Sequence, residues 1–120
     1  MYTKNFSIAE FASKDGIDSH CRMDQDFMDR LQRLRDKFKL SMVITSGIRS
    51  PEHNKAVGGS PKSQHLTRPC IACDISIEGW NSSERHRFIQ LVILFGFTGI
   101  GIGRKFIHLD MREFPAMWVY

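Results

Sequence analysis

Three residues scattered along the chain have the types needed to share one metal ion: His65, Asp74 and His108. Imidazole nitrogen and carboxylate oxygen are ordinary zinc ligands, and a catalytic zinc takes three protein ligands and leaves its fourth position to water. His65 and Asp74 both fall in the stretch TSGIRSPEHNKAVGGSPKSQHLTRPCIACDI, from Thr45 to Ile75. In Ala72-Cys73-Asp74-Ile75-Ser76-Ile77, strand alternation puts Asp74 and Ser76 on one face and the isoleucines on the other. No cation neighbours Asp74 in sequence, so its partner must come from elsewhere in space, as a metal ion or a salt bridge. His108 is the best third ligand, because Phe106-Ile107-His108-Leu109-Asp110 also alternates and points His108 and Asp110 the same way. The expected chemistry is that of a mononuclear zinc hydrolase, in which the ion activates water and a nearby carboxylate takes its proton. Asp110 is the carboxylate nearest in sequence to the third ligand. Two roles are open to it: general base, or a partner that orients His108.

Arg49 stands just after a short apolar run and just before Ser50-Pro51, at a strand-to-helix junction. A rigid fork of donors there suits a substrate carboxylate or a developing oxyanion. Spacing alone favours a surface salt bridge instead. Cys70-x-x-Cys73 has metal-ligand spacing and His65 lies upstream, so a structural zinc site is a competing reading. Two small buried hydrophobes are the simpler one. His20, His53 and His86 sit in polar or helical surroundings and read as structural or solvated.

The run SGIRSPEHNKAVGG, then SQHLT, ACDI, GIG, FIHLD with Arg112 beyond it, and MWVY together resemble the zinc D-Ala-D-Ala carboxypeptidases and phage L-alanyl-D-glutamate peptidases. The opening NFSIAEFASKDG is similar to small phage-borne members, so the resemblance covers nearly the whole chain. It implies the hedgehog/DD-peptidase fold and a zinc held by His65, Asp74 and His108. It further implies a peptidoglycan stem peptide as substrate, with Arg49 engaging its carboxylate and Ser63 supporting substrate or ligand loop. The rival within the same fold is a zinc-containing, non-catalytic cell-wall-binding module. In two respects the chain departs from the family pattern. Eight residues separate His65 from Asp74, two more than usual, and both ligands reach one metal if the extra pair bulges out of the loop. The family's usual base positions are Lys105 and Phe106 here, which leaves Asp110 as the nominee.

Length and composition frame these expectations. At 120 residues the chain suits one domain, residues 1–120, with one core. Its formal charge of +4 favours polyanions, but the basic residues are scattered, and no nucleic-acid reader motif is visible. No apolar run approaches the roughly 20 residues of a membrane span, and MYTKNFSIAEF lacks the apolar core of a signal peptide. The expectation is a monomer made in the cytoplasm that acts at the bacterial cell wall after release or phage-assisted export. Three cysteines without a secretion signal argue for free thiols.

The elements that must position the site follow from caps and periodicity. Ser7 with Glu10 forms a capping box for a first short helix. Asp24 caps a longer helix to about Lys39, with Phe27, Met28, Leu31, Leu34 and Phe38 on one face. Met42 to Thr45 reads as a strand, and Ser50-Pro51 opens a short helix that Gly58-Gly59 ends. Asn81 and Glu84 cap a helix carrying Phe88, Leu91, Val92 and Phe95, and Gly96 stops it. Gly99-Ile100-Gly101-Ile102-Gly103 is a strand whose glycines imply close approach near a cleft. Ala116 to Tyr120 completes an edge strand. The whole is expected to be α+β, with a mainly antiparallel sheet and flanking helices.

Overall fold

The computed structural model describes all residues, 1–120. Four helices, α1 (Ile8–Phe11), α2 (Gln25–Phe38), α3 (Pro51–Ala56) and α4 (Ser82–Leu94), combine with five strands: β1 (Ile44–Ser46), β2 (Ala72–Ser76), β3 (Gly99–Ile102), β4 (Phe106–Asp110) and β5 (Ala116–Val119). Caps start the helices where the sequence places them. Ser7 and Glu10 close one capping box and Asn81 and Glu84 another, while the Asp24 carboxylate accepts from the Phe27 amide at 2.9 Å. Lys39 ends α2 in the left-handed conformation at φ 64°, and Gly96 follows α4 at φ 81°.

The strands form one sheet in the order β1-β2-β4-β3-β5. All neighbours are antiparallel except β3 and β5, which run parallel. The fold is thus α+β with a mainly antiparallel sheet and flanking helices, compatible with the hedgehog-like architecture.

Alternation sorts the sheet into two faces. Cys73, Ile75, Ile100, Ile107 and Leu109 join the α2 stripe of Phe27, Met28, Leu31, Leu34 and Phe38, together with Phe88 and Val92 of α4, in a single buried core. Burying each such large side chain is worth roughly 1.5–3 kcal/mol, so the core face holds the sheet rigid. The other face carries Asp74, His108 and Asp110.

Two boundaries differ from expectation. The first strand is shifted to Ile44–Ser46 and carries an irregularity in its β2 register between Ile44 and Ser46; the Val43 carbonyl still accepts from the Ser76 amide, but Val43 itself faces solvent. In α4 only Phe88 and Val92 are fully buried, with Leu91 and Phe95 half-buried at the margin of the core.

Candidate metal centre

The register of β2 and β4 makes Asp74 and His108 direct cross-strand partners on the open face. His65 comes to them from a 3-10 turn, Gln64–Leu66, capped by the Ser63 hydroxyl, which accepts from the His65 amide at 3.2 Å. Three donor atoms then converge. His65 Nε2 lies 3.2 Å from Asp74 Oδ1 and 3.2 Å from His108 Nδ1, and His108 Nδ1 lies 3.0 Å from Asp74 Oδ1. A tetrahedral ion with bonds of about 2.0–2.1 Å has donor–donor edges of about 3.3 Å, so this triangle has the size of one face of a zinc site. All three residues are buried, so the donor set is shielded from bulk water everywhere but the cleft.

The far nitrogen of each imidazole is occupied. His65 Nδ1 is 2.6 Å from the Gly47 carbonyl and so donates to it, leaving Nε2 with its lone pair toward the cluster. His108 Nε2 is 2.7 Å from Asp110 Oδ2, which leaves Nδ1 free to ligate. Arg112 in turn grips Asp110 through Nε and Nη2 at 2.6–3.2 Å. The outer oxygen of Asp74 accepts from Arg49 Nη2 at 3.1 Å.

These contacts set the charges. Burial works to raise the Asp74 carboxyl and is outweighed by its close contacts with the His108 and His65 imidazoles, which hold it well below the usual carboxylate range. Asp110 is likewise pushed up by burial but pulled down to about 2 by His108 and Arg112. Both carboxylates therefore stay ionised, one within the donor triangle and one behind His108.

The glycine strand explains how Asp110 fits. Gly99 is the register partner of Asp110, and a Cβ there would sit 1.9 Å from its Oδ1. Gly101 partners His108, and a Cβ there would meet the Trp118 indole at 2.7 Å. Without side chains on this face, β3 lets the Asp110 carboxylate and the Trp118 and Tyr120 rings lie flat across it. Trp118 packs beside the His108 ring at 5.3 Å, and Tyr120 on Phe106 at 4.9 Å.

The cluster opens into a cleft of about 550 Å³. One wall comes from Arg49, between β1 and α3, and from Lys62, Ser63 and Gln64 of the α3–β2 connection, and the other is aromatic, with Phe106, Trp118 and Tyr120. Arg49 is fixed at three nitrogens: Nε to Ser46, Nη1 to Asn54 and Nη2 to Asp74. A guanidinium has five N–H groups, so two of them remain for a ligand.

The two extra residues in the His65–Asp74 connection do not separate the ligands. Asp24 N donates to the Cys70 carbonyl at 2.8 Å and Cys70 N to the Arg22 carbonyl at 3.0 Å, tying the loop to the start of α2. Arg68 binds the carbonyls of His65 and Arg49 at 3.2 and 2.7 Å. Cys70 and Cys73 are wholly buried and apart from the cluster, and burial raises the Cys70 thiol to about 11 and Cys73 well above its usual value. Neither thiol belongs to a group of side chains placed to share one ion. His53 and His86 stay outside any such grouping. His20 is solvent-exposed and lies near Cys21 and Asp18 on the surface, where Arg68 pairs with Asp18 at 3.4 Å.

Gly47, Asn54 and Arg68 carry parts of the site that spacing did not single out, and Arg112 enters from sequence only through the family resemblance, with no role. Only Gly47 left a local signal, as the glycine that bends the chain after β1. A Cβ on it would meet the Phe11 backbone at 2.8 Å.

A buried His-Asp-His triangle on the open face of an α+β sheet defines a candidate mononuclear metallopeptidase centre. The model of the family Peptidase M15 matches residues 2–110, and the chain belongs to that family of zinc-dependent peptidases. No curated protein matches the chain. The match spans all three ligand positions and Asp110 and stops before Arg112, Trp118 and Tyr120.

Proposed function

We propose that the chain is a zinc peptidase that hydrolyses peptidoglycan stem peptides, as a D-Ala-D-Ala carboxypeptidase or an endopeptidase, at the bacterial cell wall. The observation that carries this reading is the donor triangle with edges of 3.0–3.2 Å, both of its imidazoles already anchored at the far nitrogen. Bound there by His65, Asp74 and His108, zinc would supply a Lewis acid and an acidified water.

The chain's own groups supply the rest. Arg49 offers its two unused N–H groups to a substrate carboxylate, while its bond to Asp74 fixes the orientation of that ligand. Ser63 acts on the ligand loop, since its hydroxyl caps the turn that presents His65. For Asp110 the geometry favours the orienting role over the general base nominated from alternation. Its Oδ2 is taken by His108 and Arg112, its Oδ1 by the Arg112 backbone and side chain, and the residue is wholly buried.

One observation favours the second reading, a non-catalytic zinc-containing cell-wall-binding module. Apart from Asp74, the cleft is lined by no carboxylate that could take a proton from water. Mass spectrometry of purified muropeptides incubated with zinc-loaded protein separates the two. Peptidase action predicts a new product mass that chelator abolishes. Retention of intact muropeptide by the protein, with no product, would establish the binding module instead.

A further inference from the structure

Arg112 has capacity beyond what Asp110 uses. Its Nε and Nη2 edge closes on the carboxylate, and its guanidinium carbon stands 4.5 Å from the centre of the Trp118 ring. The two N–H groups on Nη1 have no partner in the protein, although Arg112 lines the cleft and its side chain is 27% exposed. A guanidinium pinned along one edge and against an indole face has lost most of its side-chain freedom. It can then bind an anion with its remaining edge at little further entropic cost.

Its place in the sheet sets what that anion is. Arg49 touches Asp74 from the β1 side, whereas Arg112 bridges Asp110 on β4 and Trp118 on β5 and so lies over β3. The metal cluster, on β2 and β4, lies between them. About two and a half strand spacings, roughly 12 Å, separate the two guanidiniums. An extended peptide covers that distance in about three residues. The cleft lining carries Arg49, Lys62 and Arg112 against one carboxylate, Asp74, a formal excess of +2 (3 − 1) before any metal binds.

We propose that Arg112 is a second carboxylate-binding residue, so that the cleft takes peptides with two carboxylates about three residues apart, one held by Arg49 and one by Arg112. This rests on the peptidase reading for the peptide nature of the ligand.

The test uses two stem peptides that differ only in whether the carboxylate about three residues from the C-terminal one is free or amidated. Both are titrated calorimetrically into the protein at saturating zinc, and cleavage is followed separately by mass spectrometry. The parent is expected to bind the amidated peptide about 10–100-fold more weakly, the loss that goes with one charge-assisted contact. Arg112→Gln should bring the two affinities within about twofold of each other, while Arg49→Gln keeps the difference. If Arg112 serves Asp110 alone, Arg112→Gln weakens both peptides equally and leaves their ratio unchanged, which overturns the proposal. Equal affinities in the parent, or binding of neither peptide, overturn it without any variant. Should Arg112→Gln fail to fold, Arg112→Lys is the second variant and is expected to shrink the ratio, because a point charge cannot serve Asp110 and a ligand together. Selective binding without cleavage would remove the peptidase reading and leave this one standing. Cleavage without discrimination would do the reverse.

Discussion

The two histidines of the cluster are held for the same purpose by opposite means. His65 sits on a one-turn helix in a long connection and leans its Nδ1–H on a neutral backbone carbonyl, that of Gly47. His108 sits in the middle of a paired strand and leans its Nε2–H on a buried carboxylate that an arginine clamps. The first arrangement depends on backbone shape and the second on charge. A ligand mounted on a loop needs its backbone tied, which Arg68 and the Ser63 cap do. A ligand mounted on a strand is already placed, so its side-chain partner is free to tune it. Side-chain substitutions should therefore act mostly on the His108 half.

The largest effect is expected at Gly99. Gly99→Ala puts a methyl into the Asp110 carboxylate, which cannot swing away because His108 and Arg112 hold it. Overpacking of this kind costs about 1–3 kcal/mol, and the displaced carboxylate should loosen zinc as well. Thermal unfolding and zinc titration of the variant check both; wild-type values for each would mean that β3 yields and the His108 half is softer than described.

Next comes Asp110→Asn, which keeps the shape and removes the charge behind His108. Zinc affinity should fall about 10–100-fold, with activity recovered by excess metal. An activity loss of about 10²–10⁴-fold at saturating zinc would instead restore Asp110 as general base. Arg49→Lys should act more narrowly, leaving fold and zinc intact and cutting muropeptide turnover about tenfold, because a point charge cannot replace the fork. Unchanged turnover would reduce Arg49 to a salt bridge with Asp74. The smallest effect is expected from the cysteines: a thiol reagent should label Cys21 in the native protein, and Cys70 and Cys73 only after unfolding, since burial keeps both protonated. Rapid labelling of all three would reopen the Cys70-x-x-Cys73 site.

How much of this the chain discloses beforehand depends on whether a partner is a side chain or a backbone group. His65, Asp74 and His108 are polar residues in apolar or alternating runs, so their exposure to a common face can be read from period-two spacing. The same alternation puts Asp110 on that face but says nothing of which side of the imidazole it occupies, and so left base and orienting partner equally open. Gly47 reads in the sequence only as a bend, with nothing to mark its carbonyl as a partner, and Arg68 acts on carbonyls three and 19 residues away. Helix caps are local rules and place α1, α2 and α4 closely. The β3–β5 parallel pairing is long-range, crosses β4, and follows from no local rule. The glycines of β3 announce close approach, though not that the visitor is a carboxylate.

Zinc stoichiometry tests the central claim most directly, measured by calorimetry and by the spectrum of cobalt-substituted protein on the parent, His108→Ala and Cys73→Ser. The account predicts about one ion in the parent with a tetrahedral nitrogen–oxygen spectrum lacking thiolate charge transfer, its loss in His108→Ala, and its retention in Cys73→Ser. Retained zinc in His108→Ala together with lost zinc in Cys73→Ser would contradict it.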